Sequence, residues 1–261
     1  MVAVLAGSLA AVAWAVAILG AARASRIVGA RSAAGWIVLF GFLVTIPLLL
    51  SERPPDSSDI DGLGWLALAG LGYVAGMLFV FPALAGGKIP VVAPIVSTEG
   101  AVAAGLAVVA GEAAGPPLIL MLTVIAAGVF LTALEPGGDV DVPHGGERRF
   151  AALAIAAAVA FGVGLFATGR AGESVSAGWV VAAVRIMGVA LVTLPLLATR
   201  RLRFSQQALP FMAIAALAEV IGYYAFVWGS RDSIAVTAVL ASQFAVIAAW
   251  PRDRWVAACE R

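Results

Sequence analysis

Apolar residues along this chain come in long runs parted by short polar stretches, and no run alternates with a period of two. A membrane span needs about 20 apolar residues. Nine runs qualify: residues 2–22, 33–50, 62–84, 89–111, 116–134, 150–168, 177–198, 207–228 and 233–250. Inside lipid the backbone must satisfy itself, which leaves helices or closed barrels, and the lack of alternation selects helices. The expected fold class is therefore all-α integral membrane, a multi-span helical bundle with nine spans present. The longest connections are 51–61 and 135–149. The second falls near the middle and divides the chain into residues 1–140 with five spans and residues 141–250 with four, followed by a polar tail, 251–261.

Composition makes lipid the solvent. Of 261 residues, 62% are hydrophobic and only 12% charged, against about 25% charged in soluble domains; the mean hydropathy is +1.04. Residues 1–20 lack a basic leader and read as a first span rather than a signal peptide. One cysteine, Cys259, and one histidine, His144 in a polar loop, leave no disulfide framework and no metal-ligand set. With no paired Asp, Ser/His or His/Glu set within the spans, no enzyme and no cofactor are expected. The net charge of +1 gives no reason to expect a nucleic-acid partner. No GxxxxGKS/T loop is present, so nothing in the chain consumes nucleotide.

Lys and Arg favour alternate connections. Arg23, Arg26, Arg31, Lys88, Arg148, Arg149, Arg200, Arg201, Arg203, Arg252, Arg254 and Arg261 form one set, and only Arg53, Arg170 and Arg231 form the other. Basic loops stay cytoplasmic. The expectation is a plasma or inner membrane protein with its N-terminus outside and its C-terminus in the cytoplasm.

Residues 89–104 have an echo 145 residues later at 234–249. Without a gap, Ile89/Ile234, Val91/Val236, Ala93/Ala238, Ser97/Ser242, Ala103/Ala248 and Ala104/Ala249 agree. Each copy has a polar group at its middle, Thr98-Glu99 in one and Gln243 in the other. Duplicated bundles with polar groups at mid-depth are a common plan of secondary transporters.

The chain resembles the drug/metabolite transporter superfamily, in particular its EamA-type members. The resemblance is carried by Gly86-Gly-Lys-Ile-Pro-Val-Val-Ala-Pro-Ile-Val with Gly111-Glu112, by Gly229-Ser-Arg-Asp-Ser-Ile-Ala-Val-Thr-Ala-Val-Leu-Ala-Ser-Gln-Phe, and by Ala10-Ala-Val-Ala-Trp14. It implies ten helices in two inverted five-helix repeats, with a central cavity between them. The family is usually drawn with its N-terminus inside, opposite to the charge bias. The repeat offset puts the tenth helix beyond residue 261, so the expectation is a member lacking that helix. Its function would be transport of small metabolites, amino acids or drugs by alternating access, coupled to protons or a countersubstrate. The alternative is a truncated, non-transporting remnant or membrane assembly partner. Its surroundings are the lipid bilayer; the oligomeric state stays open.

Three ionisable residues fall within spans: Glu99, Arg185 and Glu219. A charge near mid-bilayer costs on the order of 3 kcal/mol on insertion scales, so such groups face the bundle interior. At a rise of 1.5 Å per residue, Glu99 lies roughly 15 Å into its helix, and Gln243 lies equally deep in its own. Arg185 and Glu219 lie at similar depth on consecutive antiparallel spans and can pair. Glu99 is a candidate proton site, a candidate ligand for a substrate cation, or a buried acid bonded within the protein. Arg185 with Glu219 is either a structural ion pair or a site for a substrate carboxylate. Gln243, Ser97, Thr98 and Ser242 read first as inter-helix hydrogen-bond groups; the second reading makes Gln243 a substrate or coupling residue and Ser97 and Thr98 lining of the cavity. Trp14 and one of Tyr223 and Tyr224 are candidates to line the cavity.

Overall fold

The first three apolar runs each form one long helix: α1 (Val2–Val28), α2 (Ala30–Leu49) and α3 (Ile60–Gly86). Two short helices follow, α4 (Ile89–Val96) and α5 (Glu99–Val109). Then come α6 (Gly146–Ser174), α7 (Ala177–Ala198), α8 (Leu209–Ser230), α9 (Ile234–Ala241) and α10 (Phe244–Ala249). This computed structural model describes residues 1–52, 54, 60–86, 89–113, 115, 116, 119, 120, 123 and 146–249. No strand occurs among them. The expected fifth span at 116–134 lies mostly outside the described residues, as do residues 124–145 and the tail 251–261.

Among the described residues, six helices are long and apolar enough to cross a membrane: Val2–Val28, Ala30–Leu49, Gly62–Ala83, Arg148–Ser174, Ala177–Ala198 and Leu209–Ser230. The expected fourth and ninth spans differ from the sequence reading. Each is two short helices, broken at Ser97-Thr98 and at Ser242-Gln243. The cause is local. Ser97 Oγ donates to the Pro94 carbonyl at 2.8 Å and Thr98 Oγ1 to that of Ile95 at 2.7 Å. Ser242 Oγ donates to the Val239 carbonyl at 2.9 Å, and Gln243 Nε2 to the same carbonyl at 3.1 Å. The Thr98 and Gln243 backbone N–H groups turn three residues back, to Ile95 and Leu240. Side chains that compete for helix carbonyls in this way bend or break the helix. The π-helical turn Val189–Thr193 in α7 precedes Pro195. Such bulges are one way a helix accommodates a proline, which has no N–H to donate.

Small residues point inward and large ones outward. In α1 the buried face is Ala3, Gly7, Ala10, Ala11, Ala13, Trp14, Ala17, Gly20 and Ala24, while Leu5, Leu9, Val12, Ile18 and Leu19 are exposed. Lipid tails solvate Leu as well as a core does, so association rests on close backbone approach. The principal helix pairs are α3 with α6 and α1 with α8. At the α3–α6 crossing Gly72 meets Gly164: a Cβ on Gly72 would sit 2.6 Å from the Gly164 Cα and 2.8 Å from the Ala160 carbonyl oxygen.

Hydrogen bonds define the two ends of the bundle. At one end the Ala3 N–H donates to Asp232 at 3.1 Å, Arg231 Nε to the Gly172 carbonyl at 3.0 Å, and the Gly178 N–H to Glu52 at 2.8 Å. The Ala3 N–H, ahead of the N-terminal ammonium, holds the Asp232 carboxyl below its ordinary range. At the other end Ser32 Oγ donates to the Arg201 carbonyl and Trp36 Nε1 to that of Arg203. Arg31, Arg200, Arg201 and Arg203 thus lie at the end opposite Arg170 and Arg231.

Candidate functional site

Arg185 projects from the middle of α7 into the packed centre and is fully buried, while the Glu219 side chain on α8 is 18% exposed. Arg185 Nη1 donates to Glu219 Oε2 at 2.9 Å and to Tyr73 Oη at 3.3 Å. Tyr73 Oη in turn donates to Glu219 Oε1 at 3.1 Å. The guanidinium carbon lies 5.7 Å from the Tyr73 ring centroid and 5.1 Å from that of Tyr223. Room comes from α2: a Cβ on Gly41 would stand 3.3 Å from Arg185 Nε and 3.4 Å from its Cζ. Nε and Nη2 have no hydrogen-bond partner among the described residues.

Aromatic side chains close the site. Trp14 packs edge-on against Tyr223 at 5.5 Å, stacks on Phe226 at 5.9 Å and meets Phe244 edge-on at 6.3 Å. Tyr73 and Tyr223 touch edge-to-face at 6.1 Å. Each such pair adds about 0.5–1.5 kcal/mol beyond area burial, which stabilises the packed centre.

Glu99 is the first residue of α5 and is 7% exposed. It lies within electrostatic reach of Tyr223. No hydrogen bond or ion pair to its carboxylate occurs among the described residues. Its neighbour Gly100 is where the two broken helices cross: a Cβ there would fall 2.5 Å from Ser242 Oγ and 2.6 Å from its Cβ. The two breaks, 145 residues apart, therefore meet beside Glu99.

The residues singled out by sequence distribute unevenly. Arg185, Glu219, Tyr223 and Trp14 come together, with Glu99 close by. Ser97, Thr98 and Gln243 spend their side-chain hydrogen bonds on their own helices. Tyr224 turns away; it lines a lateral cleft of about 310 Å³ between α1, α2 and α8, with Leu9, Val44, Leu48, Leu217, Val220 and Trp228.

Sequence reasoning missed Tyr73, Gly41, Glu52 and Glu112. Tyr73 carried a signal, since it precedes Glu219 by 146 residues, one more than the repeat offset. Glu112 belongs to the Gly111-Glu112 pair that carried the resemblance, yet its role is visible only in space. Its carboxylate accepts from the backbone N–H groups of Ile234 at 2.8 Å and Ala235 at 3.0 Å and from Ser233 Oγ at 3.1 Å.

A family model described as the EamA-like transporter family matches residues 1–134, just over half of the 261. A protein of known crystal structure superposes with a TM-score of 0.72 over 94% of this chain and 85% of its own, at 20% identity. At that identity the likeness carries the fold alone. No curated protein matches the chain.

Proposed function

Since this chain belongs to the EamA-like transporter family, we propose that it is a secondary transporter that carries small organic solutes across a cell membrane by alternating access. The observation that carries this reading is the pair of broken helices. They break at equivalent positions, Ser97-Thr98 and Ser242-Gln243, cross at Gly100, and have at the junction the carboxylate of Glu99, which has no partner among the described residues. Discontinuous helices near the bilayer midplane are where secondary transporters hold substrate and coupling ions.

The helix contacts support two inverted repeats. Exchanging α1, α2 and α3 for α6, α7 and α8 turns the α1–α8 pair into α6–α3 and the α2–α8 pair into α7–α3, and all four pairs are in contact. α1 starts at the Asp232 end of the bundle and its counterpart α6 finishes there, so the repeats run in opposite directions. The basic residues at the Arg201 end favour that end as the cytoplasmic one, which sets the N-terminus outside.

Glu99 is the coupling group in this proposal. An intramembrane acid with no partner is retained for function more readily than for packing. Arg185 is paired through Nη1 with Glu219 and packs against the rings of Tyr73 and Tyr223. Entry and exit require the aromatic closure at Trp14 to open, by rocking one repeat against the other.

Counterflow tests the proposal. Proteoliposomes of the purified protein are loaded with a mixed pool of small organic acids, amines and amino acids, and entry of the labelled pool is followed. Saturable exchange above that of protein-free vesicles is the expected result. Exchange no faster than in protein-free vesicles overturns the proposal in favour of a membrane protein that does not transport.

A further inference from the structure

A buried guanidinium with two idle nitrogens is out of keeping with an ion pair whose task is structural. Arg185 gives only Nη1 to Glu219 and Tyr73. Nε and Nη2, the two nitrogens of one edge, are buried and unpaired among the described residues. That edge is the fork which a carboxylate meets with two parallel hydrogen bonds. Leaving a buried charged donor unpaired costs more than making its bond gains, and the aromatic faces of Tyr73 and Tyr223 offset that only in part.

Gly41 lies on the face of the guanidinium at Nε, and what adjoins Gly41 is apolar. Gly41, Val44 and Leu48 follow one another at spacings of three and four on α2, which puts them on one face. Val44 and Leu48 form the α2 wall of the cleft of about 310 Å³, opposite Leu217, Val220 and Ile221 of α8. The volume is at the lower end of ordinary ligand sites. One face of α2 therefore runs from an apolar cleft to the face of a buried guanidinium.

We infer that the substrate is a small amphipathic carboxylate, held by the Nε–Nη2 edge of Arg185 with its apolar body in the cleft between α2 and α8. The Nε–Nη2 edge is buried in this structure, so the anion binds once the packing around it has opened. Glu219 keeps Nη1 and fixes the fork in place. The absence of a side chain at Gly41 lets α2 pack against the guanidinium face. This rests on the transporter reading and specifies its substrate class.

Three isosteric probes test it on the purified full chain in lipid nanodiscs: phenylacetate, phenylacetamide and phenethylammonium. A ligand that binds the folded state raises the melting temperature. Phenylacetate is expected to raise it by several degrees and the neutral and cationic probes to leave it unchanged. Arg185→Gln should abolish the rise. Val44→Phe keeps every charge and fills the α2 wall of the cleft, so it should weaken phenylacetate binding while the unliganded protein stays folded. Equal shifts with phenylacetamide, a rise that survives Arg185→Gln, or a full rise in Val44→Phe would each overturn the assignment. Exchange of other solutes without phenylacetate binding would sink the substrate class and leave the transporter reading standing. Phenylacetate binding without any exchange would do the reverse.

Discussion

Glu112 ties the end of α5 to the start of α9, and Glu112→Ala measures that tie. The carboxylate accepts three hydrogen bonds, two from the first N–H groups of α9 and one from Ser233 Oγ. A hydrogen bond to a charged group contributes about 1.5–3 kcal/mol, and loss of a helix N-cap costs about 1 kcal/mol. The carboxylate is only half-buried, and Ser233 still caps α9 through the Val236 N–H. The sum therefore discounts to about 2–4 kcal/mol in total. For a domain of this size that is a fall of about 5–15 °C in melting temperature. Glu112→Gln keeps an acceptor but loses the attraction to the helix dipole, so it should fall by less than half as much. The control is Glu173→Ala, which removes an exposed pair with Arg170 at 2.8 Å worth at most about 1 kcal/mol. Thermal unfolding in detergent, followed by loss of circular dichroism, reads all three. Should Glu112→Ala melt no lower than Glu173→Ala, the carboxylate does not hold α9.

Two further substitutions probe the scaffold and the central pair. Gly72→Ala puts a methyl group against the Gly164 backbone, where nothing can yield, and should destabilise by about 1–3 kcal/mol; Gly105→Ala, which meets nothing within 4 Å, should be neutral in the same melting assay. Glu219→Leu strips Arg185 of its counter-charge and should cost about 3–5 kcal/mol, whereas Arg185→Met with Glu219→Leu should recover most of that loss. Unfolding titrations in mixed micelles compare the two, and a double variant no more stable than the single one would contradict a buried pair.

The sequence carried the bundle, the depth of its charges and the pairing of Arg185 with Glu219, but not the breaks or the residues packed around that pair. Span length and the small-residue pattern are one-dimensional, so α1, α2, α3, α6, α7 and α8 were legible. The breaks at Ser97-Thr98 and Ser242-Gln243 were not, because an apolar run reads the same whether its helix is continuous or turned by side chains bonding backward. Arg185 and Glu219 stood out because intramembrane charge is costly. Tyr73 and Gly41 did not, since a tyrosine and a glycine within a span are ordinary until a guanidinium lies against them. Tyr223 and Tyr224 were indistinguishable by depth. Their helix phase decides, turning Tyr223 to the centre and Tyr224 to the cleft.

Glu99 offers the most direct test of secondary transport through this bundle. Proteoliposomes of wild type and Glu99→Gln are compared for counterflow and for uptake driven by an imposed pH gradient. The coupling role predicts that Glu99→Gln abolishes gradient-driven accumulation while exchange at equal pH continues. Gradient-driven accumulation undiminished in Glu99→Gln, with an unchanged pH profile, would contradict it.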